Sequence, residues 1–340
     1  MKVVITGATG FVGKPIVAKL LGRGDHVIAL SRDAERAKAS LAKPDASAVP
    51  NDAADNAAGE RLEVVTAHLE EPGEWQKALA GCDAVLHLAG ESIGAKKWDA
   101  RQKQILRDSR VESTRHIVET IGALPASQRP KVLVSASGID YYGFSSTRGD
   151  DFDDDEVTEK DPPGTSFLAR LCRDWEQEAL AAAGHGVRVA CMRCAIVLGP
   201  PGGALDKITT PFKFFVGGRI GNGYQFFSWI HRDDAVLGYL AALDDTRYAG
   251  GINLVTASTR NRDFSKALGK ALGKPSWLPV PAFAVKIVAG EFAEYVLNGR
   301  NAVPAKLREL GFQFARPTLA DALDDVTESA SGARTRRERS

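Results

Sequence analysis

The first thirteen residues constrain the fold more than any other stretch, because they predict a strand, a glycine loop and the start of a helix in direct succession. Val3, Val4 and Ile5 form a β-branched apolar run that is typical of a strand covered on both faces. The next residues have the spacing G-x-x-G-x-x-G, which lets a loop turn tightly and lets backbone N–H groups approach a pyrophosphate. The helix that follows contributes the positive end of its dipole. The segment therefore predicts a dinucleotide site, with a structural glycine turn as the alternative.

The end of the second predicted strand bears on which dinucleotide binds. Residues 26–30 are apolar apart from the first and lead into Ser31, Arg32 and Asp33. An arginine here accommodates the 2′-phosphate of NADP, whereas an acidic residue accepts hydrogen bonds from the ribose hydroxyl of NAD. Arg32 offers a planar fork of donors and Ser31 a hydroxyl, so the sequence favours NADP(H). Asp33 keeps NAD(H) as the less favoured alternative.

Strands and helices then alternate along the chain, with further apolar runs at residues 62–65, 83–90, 131–137 and 187–192. This alternation predicts an α/β fold, a Rossmann-type doubly wound parallel sheet followed by a smaller C-terminal α/β substrate lobe. The expected units are an NADP(H)-binding domain at 1–198 with a flexible insertion at about 39–60, a substrate lobe at 199–326, and a disordered tail at 327–340.

Ligands of such sheets bind at the carboxyl ends of the strands, and this rule selects the candidate cofactor residues. His87 lies inside the fourth strand and is interpreted as a core residue. The predicted cofactor contacts are Thr6, Gly7, Thr9, Gly10, Phe11, Val12, Gly13, Ser31, Arg32, Leu88, Ala89, Gly90, Glu91 and Ser135.

Charge and cysteine content exclude several classes of function. Forty-four Lys and Arg against 43 Asp and Glu leave a formal net charge of +1, which favours neither nucleic acid nor an anionic membrane. No apolar run is long enough to span a bilayer and no signal peptide is visible, so we expect a cytoplasmic protein. Cys191 and Cys194 fall on one predicted strand and point to opposite faces, and the acidic run at 150–161 has no ligand spacing. We therefore expect no metal site, and interpret the acidic run as a solvated loop that could act as a lid.

Several motifs together resemble those of a known enzyme family. The segment Thr6–Gly13, the run His87-Leu88-Ala89-Gly90, Ser135-Ala136-Ser137 ahead of Tyr142-Gly143, Arg193 ahead of Leu198-Gly199-Pro200, and Trp229–Asp234 occur in the family's order over residues 1–325. The chain resembles extended short-chain dehydrogenase/reductases of the NAD(P)-dependent epimerase/dehydratase group. Details such as Asp108-Ser109-Arg110-Val111 and Cys172-Arg173-Asp174-Trp175-Glu176 resemble the atypical, epimerase-like subgroup.

The chain departs from that family at the residues that usually perform the chemistry. The resemblance implies a catalytic tyrosine with a lysine four residues later, but no tyrosine of this chain has a lysine at that spacing. Counting back from Glu176 places Leu168 and Cys172 at the two positions. A leucine has no proton to give, and a neutral thiol does not lower the pKa of a tyrosine as a cation does.

The remaining candidates for catalysis are Ser137, which matches the family's substrate-hydroxyl position, and the adjoining Tyr141 and Tyr142. Arg170 and Arg173 flank the vacated positions and could hold an anionic substrate, or simply form a solvated helix face. The aromatic, glycine-rich stretch at 212–229 could form one wall of a substrate cleft.

Two classes of function stay open. One is an NADP(H)-dependent oxidoreductase that moves hydride to or from a carbonyl or alcohol carbon of an unidentified small molecule. The other is a non-catalytic NADP(H)-binding sensor or interaction protein. Related proteins dimerise, and the long helix predicted at 98–121 could pair in a homodimer.

Overall fold

A parallel sheet of seven strands forms the centre of the molecule. The computed structural model describes residues 1–43, 60–144, 154–199 and 202–324 of the 340-residue chain. Its described strands are β1 (Lys2–Thr6), β2 (His26–Ser31), β3 (Leu62–Thr66), β4 (Ala84–His87), β5 (Val132–Gly138), β6 (Glu156–Val157), β7 (Arg188–Cys194), β8 (Ile196–Leu198), β9 (Phe226–His231), β10 (Gly250–Leu254), β11 (Ala257–Arg260) and β12 (Asn301–Ala302). The large sheet has the order β3-β2-β1-β4-β5-β7-β10, and every neighbouring pair in it is parallel. The predicted Rossmann-type doubly wound sheet is therefore confirmed.

Helices cover both faces of this sheet. The described helices of this sheet and of the smaller part of the molecule are α1 (Gly13–Gly22), α2 (Ala34–Leu41), α3 (Ala100–Asp108), α4 (Val111–Ala123), α5 (Phe167–Leu180), α6 (Gly203–Lys213), α7 (Arg232–Asp244), α8 (Asn261–Ala271), α9 (Ala282–Ala289), α10 (Ala293–Leu297) and α11 (Ala305–Glu309). The strand order changes direction between β1 and β4, the point where ligands of doubly wound sheets bind. No described helix combines the length and the apolar character that crossing a bilayer requires.

Alternation along the strands divides the interior into two apolar cores. Val3 and Ile5 of β1 pack in the core beneath α1 and α7, while Val4 packs in the opposite core beneath α4 and α5. This explains why the strand is apolar at consecutive positions. Cys191 and Cys194 of β7 likewise belong to opposite cores, and both are free thiols.

Beyond β7 the chain builds a smaller layer around a three-stranded sheet of order β11-β9-β8, with a two-stranded pair of β12 and β6 beside it. Its core contains Leu198, Trp229 and Phe264. Strand β10 nevertheless returns to the edge of the large sheet, so the two parts interleave after residue 198 and the division there stays a prediction. Most of the insertion predicted at about 39–60, the first residues of the acidic run and the tail at 327–340 lie outside the described residues.

The helix predicted at 98–121 is wrong as a single element, because α3 and α4 are separated at Ser109 and Arg110. The hydroxyl of Ser109 donates to Leu106 O at 3.2 Å and accepts from Glu91 N at 3.1 Å. Arg110 Nη1 also donates to Leu106 O, at 3.2 Å. These side chains satisfy the end of α3 and turn the chain, so a homodimer stays a prediction without one continuous helix to form it.

Candidate functional site

The glycine loop after β1 is closed so tightly that side chains do not fit at two of its positions. Gly7 has φ +69°, and a Cβ there would lie 2.9 Å from Leu88 C and O. A Cβ on Gly13 would lie 2.1 Å from Gly7 O, and Gly10 N donates to that same oxygen at 2.9 Å. No side chain caps the start of α1, where Lys14 N donates to Gly10 O of the loop at 3.0 Å. An uncapped helix start behind a glycine cradle fits the pyrophosphate of a dinucleotide.

Thr6 and His87 fix the backbone that follows β4, beside the glycine loop. Thr6 Oγ1 accepts hydrogen bonds from Leu88 N at 3.1 Å and Ala89 N at 3.0 Å, and lies 2.8 Å from His87 Nδ1. Both side chains are fully buried. Burial lowers the pKa of His87 to about 3, with a further contribution from Arg110. His87 is thus the core histidine that was predicted, and Thr6 acts on the backbone of the predicted cofactor segment 88–91.

Arg110 also fixes the segment 88–91, a role that the sequence did not reveal. Its Nη2 donates to Glu91 O at 2.9 Å, and a Cβ on Gly90 would lie 3.1 Å from its guanidinium carbon. The side chain is only 8% exposed, and burial lowers its pKa. A side chain at position 90 would therefore require the Arg110 guanidinium to shift by a few tenths of an ångström.

The polar residues at the end of β2 have different roles. Asp33 caps α2, because its carboxylate accepts from Arg36 N at 2.9 Å, and Ser31 Oγ donates to Asp33 O at 3.1 Å. Arg32 is exposed and forms no hydrogen bond or ion pair with a described residue. The Asp33 carboxylate is thus engaged at the start of α2, while the guanidinium of Arg32 remains accessible to solvent.

At the carboxyl end of β5 the three candidate catalytic residues surround Arg193. Ser137 Oγ donates to Glu176 Oε1 at 2.7 Å, and Glu176 pairs with Arg193 through two hydrogen bonds of 2.9 and 2.8 Å. Arg193 Nη1 donates to the Tyr142 hydroxyl at 2.9 Å, and the ring of Tyr141 lies 3.5 Å from the guanidinium carbon. The sheet produces this arrangement, since Ser137 and Arg193 are register partners on β5 and β7.

Most of this network is buried, and its hydroxyl groups donate to neighbouring atoms of the protein. The Tyr142 hydroxyl donates to Asn253 Oδ1 at 2.7 Å, and burial raises the pKa of Tyr142 to about 12 against the effect of Arg193. Tyr141 is partly exposed, and burial raises its pKa as well. Ser135 is buried on the same strand, where its hydroxyl donates locally to Ala136 O at 3.1 Å. Glu176 and Asn253 were not singled out from the sequence, because their partners lie 39 and 111 residues away.

The positions left vacant by the missing tyrosine and lysine are closed to solvent. Leu168 on α5 is 2% exposed and packs with Trp98 and Trp175. Cys172, one turn later, is buried against Gly138, and burial raises its pKa to about 12. Neither residue can exchange a proton with a ligand near neutral pH.

A cavity of about 1020 Å³ opens beside the start of α5. Its aromatic lining comes from Trp98, Phe167 and Tyr295. The stretch at 212–229, expected to supply an aromatic wall, contributes Ile220, Gly221, Asn222 and Gln225 instead. That expectation is therefore wrong in its residues: Phe212 and Trp229 turn into the core, and Phe214 and Phe215 point to solvent at 73% and 54% exposure.

Comparison with known proteins agrees with this geometry. A model of the NAD dependent epimerase/dehydratase family matches residues 3–254. This chain belongs to that family. A second model, described as a domain of unknown function (DUF1731), matches residues 280–326.

Two relatives and one solved structure place it among epimerase family members. The Epimerase family protein SDR39U1 homolog, chloroplastic, of Arabidopsis thaliana is 37% identical over 329 residues, covering 96% of this chain and 87% of the relative. Epimerase family protein ML0860 of Mycobacterium leprae is 39% identical over 264 residues, covering 77% and 82%. The crystal structure of human epimerase family protein SDR39U1 (isoform2) with NADPH is 30% identical, with a TM-score of 0.76 and coverage of 96% and 99%.

Within this epimerase/dehydratase family member, the predicted site residues form two groups. The glycine loop and the segment 88–91 meet at the switch point between β1 and β4, with Ser31 and Arg32 at the end of the neighbouring β2. Ser137, Tyr141 and Tyr142 gather around Arg193 at the end of β5.

Proposed function

We propose that this epimerase family member is an NADP(H)-dependent oxidoreductase that interconverts a carbonyl and an alcohol group on a small molecule. The observation that carries the proposal is the uncapped glycine cradle at the switch point of the sheet. A cavity of about 1020 Å³ beside the start of α5 offers room for a small molecule. The human relative SDR39U1 crystallised with NADPH supports the choice of cofactor. When bound, the reduced nicotinamide supplies a hydride to the substrate carbon.

The chain offers a group for each part of the cofactor. Backbone N–H groups of the loop from Gly7 to Gly13 would hold the pyrophosphate. The segment at 88–91, fixed by Thr6 and Arg110, would line the nicotinamide end of the cofactor. Arg32 would bind the 2′-phosphate, because it is accessible while Asp33 is engaged in capping α2.

The cavity suits a small molecule with an apolar or aromatic part and a polar end. Trp98, Phe167 and Tyr295 contribute aromatic rings to the lining. Its charged residues are Lys103, Arg170, Lys286, Glu291 and Glu294, and Lys103 pairs with Glu291. The Ser137 hydroxyl donates to Glu176, so its remaining lone pairs can orient a substrate hydroxyl as an acceptor.

The second candidate, a non-catalytic NADP(H)-binding sensor or interaction protein, is favoured by one specific observation. Leu168 and Cys172 are buried and cannot act as the acid–base pair, and the Tyr142 proton is directed to Asn253. In that case the cavity would bind a ligand without changing it.

Titration of the purified protein with NADPH and with NADH tests the cofactor. We expect NADPH to bind more tightly, and Arg32→Ala to weaken NADPH at least about tenfold while leaving NADH unchanged, as loss of a charge-assisted phosphate contact requires. Arg308→Ala is the matched control, because Arg308 is an exposed arginine on α11, which packs against β10 at the opposite edge of the sheet from β2 and β3. Equal affinities for the two nucleotides in the unmodified protein would contradict the role of Arg32.

A screen of carbonyl compounds, followed by the oxidation of NADPH at its absorbance band, then separates the two functions. Turnover that Ser137→Ala reduces supports the oxidoreductase. Tight NADPH binding with no turnover across aldehydes, ketones and quinones would instead favour the sensor.

A further inference from the structure

The large apolar side chains that the fold leaves most exposed are gathered in two segments, residues 211–220 and 274–289. In the described part of the chain, every large apolar side chain that is more than half exposed lies in one of them. Helix α9, in the second segment, has no buried residue. The set, which we call the apolar surface, consists of Phe214 (73% exposed), Phe215 (54%), Val216 (45%), Trp277 (70%), Leu278 (38%), Phe283 (67%), Ile287 (69%) and Val288 (74%). Exposed apolar side chains concentrated in this way mark a site of interaction.

The two segments lie side by side in the structure. Val280 N donates to Arg219 O at 2.8 Å, and Gly221 N donates to Val280 O at 2.9 Å. Lys274 of the second segment places its Nζ 4.1 Å from the centre of the Phe215 ring of the first. The exposed side chains of both segments therefore belong to one region of the molecule.

The backbone holds these side chains away from the core. Phe283 and Ile287 are one turn apart on α9, while Ala282 and Lys286, also one turn apart, line the cavity from the adjoining face of the helix. Phe215, in the turn after α6, has a φ of +61° and is the one described non-glycine residue with a positive φ. A bulky residue rarely adopts this conformation. Side chains that are two-thirds exposed project from a surface rather than line a groove, and here they project beside the cavity.

The charged residues of the two segments are all cations. Neither segment contains an aspartate or a glutamate, and Glu291, just beyond the second one, pairs with Lys103. The cations form no ion pair with a described residue. The net charge of +1 for the whole chain conceals this local excess of positive charge. The four cations are Lys213, Arg219, Lys274 and Lys286.

We propose that the apolar surface binds the headgroup region of a bilayer that contains anionic phospholipids. Tryptophan and phenylalanine rings insert at the membrane–water interface, while lysine and arginine beside them attract the anionic headgroups. A second copy of this chain fits the surface less well, because a twofold contact brings the same four cations against one another. Such docking depends neither on the cofactor nor on a reaction. It places the cavity, which Ile220, Ala282 and Lys286 line, next to the lipid.

Flotation of the full chain with lipid vesicles is the first test. We expect the protein to float with vesicles of phosphatidylcholine that contain about 30% phosphatidylglycerol, and to stay behind with phosphatidylcholine alone. Raising the salt concentration from about 0.05 M to about 0.5 M should release it, because salt screens the attraction between the cations and the lipid. Equal binding to the two kinds of vesicle, or no binding to either, overturns the proposal.

The variant Phe283→Ser/Ile287→Ser tests the apolar contribution. It should weaken binding to the anionic vesicles at least about tenfold, because both side chains would leave the lipid. Thermal unfolding and NADPH binding should stay unchanged, since both side chains are exposed. Leu180→Ser/Leu237→Ser is the matched control, with two apolar residues on α5 and α7 that are 40% and 36% exposed outside the apolar surface. Vesicle binding that both variants reduce equally, or that neither reduces, overturns the proposal.

The variant Lys213→Gln/Lys286→Gln tests the cationic contribution. It should weaken binding to the anionic vesicles at least about tenfold, since each lysine near an anionic bilayer contributes about a factor of five. The control is Lys19→Gln/Lys160→Gln, two exposed lysines outside the segments. Equal losses in the two variants would mean that the anionic lipid attracts the chain without regard to this surface, which overturns the proposal.

Trp277 locates the contact by its fluorescence. It is 70% exposed, whereas the other four of the five tryptophans are at most 8% exposed, so a change in emission on vesicles reports on Trp277. We expect a blue shift on the anionic vesicles and quenching by brominated acyl chains, and both should be lost in Trp277→Phe while vesicle binding remains. Vesicle binding without these changes places the contact on another surface and overturns the proposal.

Light scattering without lipid tests the second copy as the occupant. The molar mass should be the same for the unmodified protein and for Phe283→Ser/Ile287→Ser. A lower mass for the variant, together with an unmodified protein that does not float with vesicles, would make the apolar surface an interface between copies and overturn the proposal.

Discussion

At the scale of the residue, Gly13 shows how one missing side chain fixes the cofactor loop. Gly13→Ala would place a methyl group 2.1 Å from Gly7 O, so the loop must move away from α1. We expect a loss of about 1–3 kcal/mol in the free energy of unfolding, the usual cost of overpacking, and NADPH binding weakened at least about tenfold. Thermal unfolding and NADPH fluorescence titration measure the two effects.

Gly184→Ala is the matched control for that prediction. Nothing lies within 4 Å of a Cβ at this position, and its φ is not in the positive range that disfavours alanine. The control should leave stability and NADPH binding nearly unchanged. Equal behaviour of the two variants would show that the loop tolerates a side chain at residue 13.

At the scale of the element, Glu176 joins helix α5 to strands β5 and β7. Its carboxylate accepts a hydrogen bond from Ser137 and pairs with Arg193. The side chains of Glu176 and Arg193 are 5% and 6% exposed. Glu176→Gln leaves the Arg193 cation buried without a counter-charge, which should lower the free energy of unfolding by about 3–5 kcal/mol. Urea denaturation followed by circular dichroism measures the change.

Glu178→Gln, two residues further along α5, supplies the comparison. Glu178 pairs with Arg115 at 2.7 Å, but the two side chains are 26% and 38% exposed. Solvent screens such a pair, so its loss should cost less than about 1 kcal/mol. A similar cost for both variants would mean that the buried pair does not hold the three elements together.

The elements and their site differ in how far they can be predicted from sequence. The positive φ of Gly7 and the close approach of Gly13 to Gly7 O are local, so the glycine spacing predicts the loop and the strand and helix that flank it, whereas the contact of Gly7 with Leu88 joins distant parts of the chain. The position of Ser137 follows from the rule that ligands meet the carboxyl ends of parallel strands. Arg110 was missed because its role depends on Glu91 across a loop. Its second contact, from Nη1 to Leu106 O at the end of α3, is one that periodicity cannot show.

At the scale of the whole molecule, the stability of the sheet should depend on His87 at mildly acidic pH. His87 joins β4 to β1 through Thr6, and its other ring nitrogen lies 3.3 Å from Ser113 Oγ. Burial lowers its pKa from 6.5 to about 3 in the folded protein. Below pH 6.5 the unfolded chain therefore binds a proton that the folded chain does not, and the free energy of unfolding falls as the pH falls toward 3. The contribution approaches about 1.4 kcal/mol per pH unit, or about 2 kcal/mol by pH 5.

Comparison with His87→Gln isolates this contribution from that of Asp140, which acts in the opposite sense. The folded-state pKa of Asp140 is raised from 3.8 to about 6, so Asp140 lowers stability as the pH rises through that interval. Both proteins keep Asp140, and its effect cancels in their difference. Urea denaturation at half-unit steps between pH 5 and pH 7.5 should show the two proteins converging as the pH falls, because only in the unmodified protein does the unfolded chain gain a proton at residue 87 that the folded chain does not bind. Parallel curves would mean that His87 accepts a proton within the folded sheet and that solvent reaches the junction of β1 and β4.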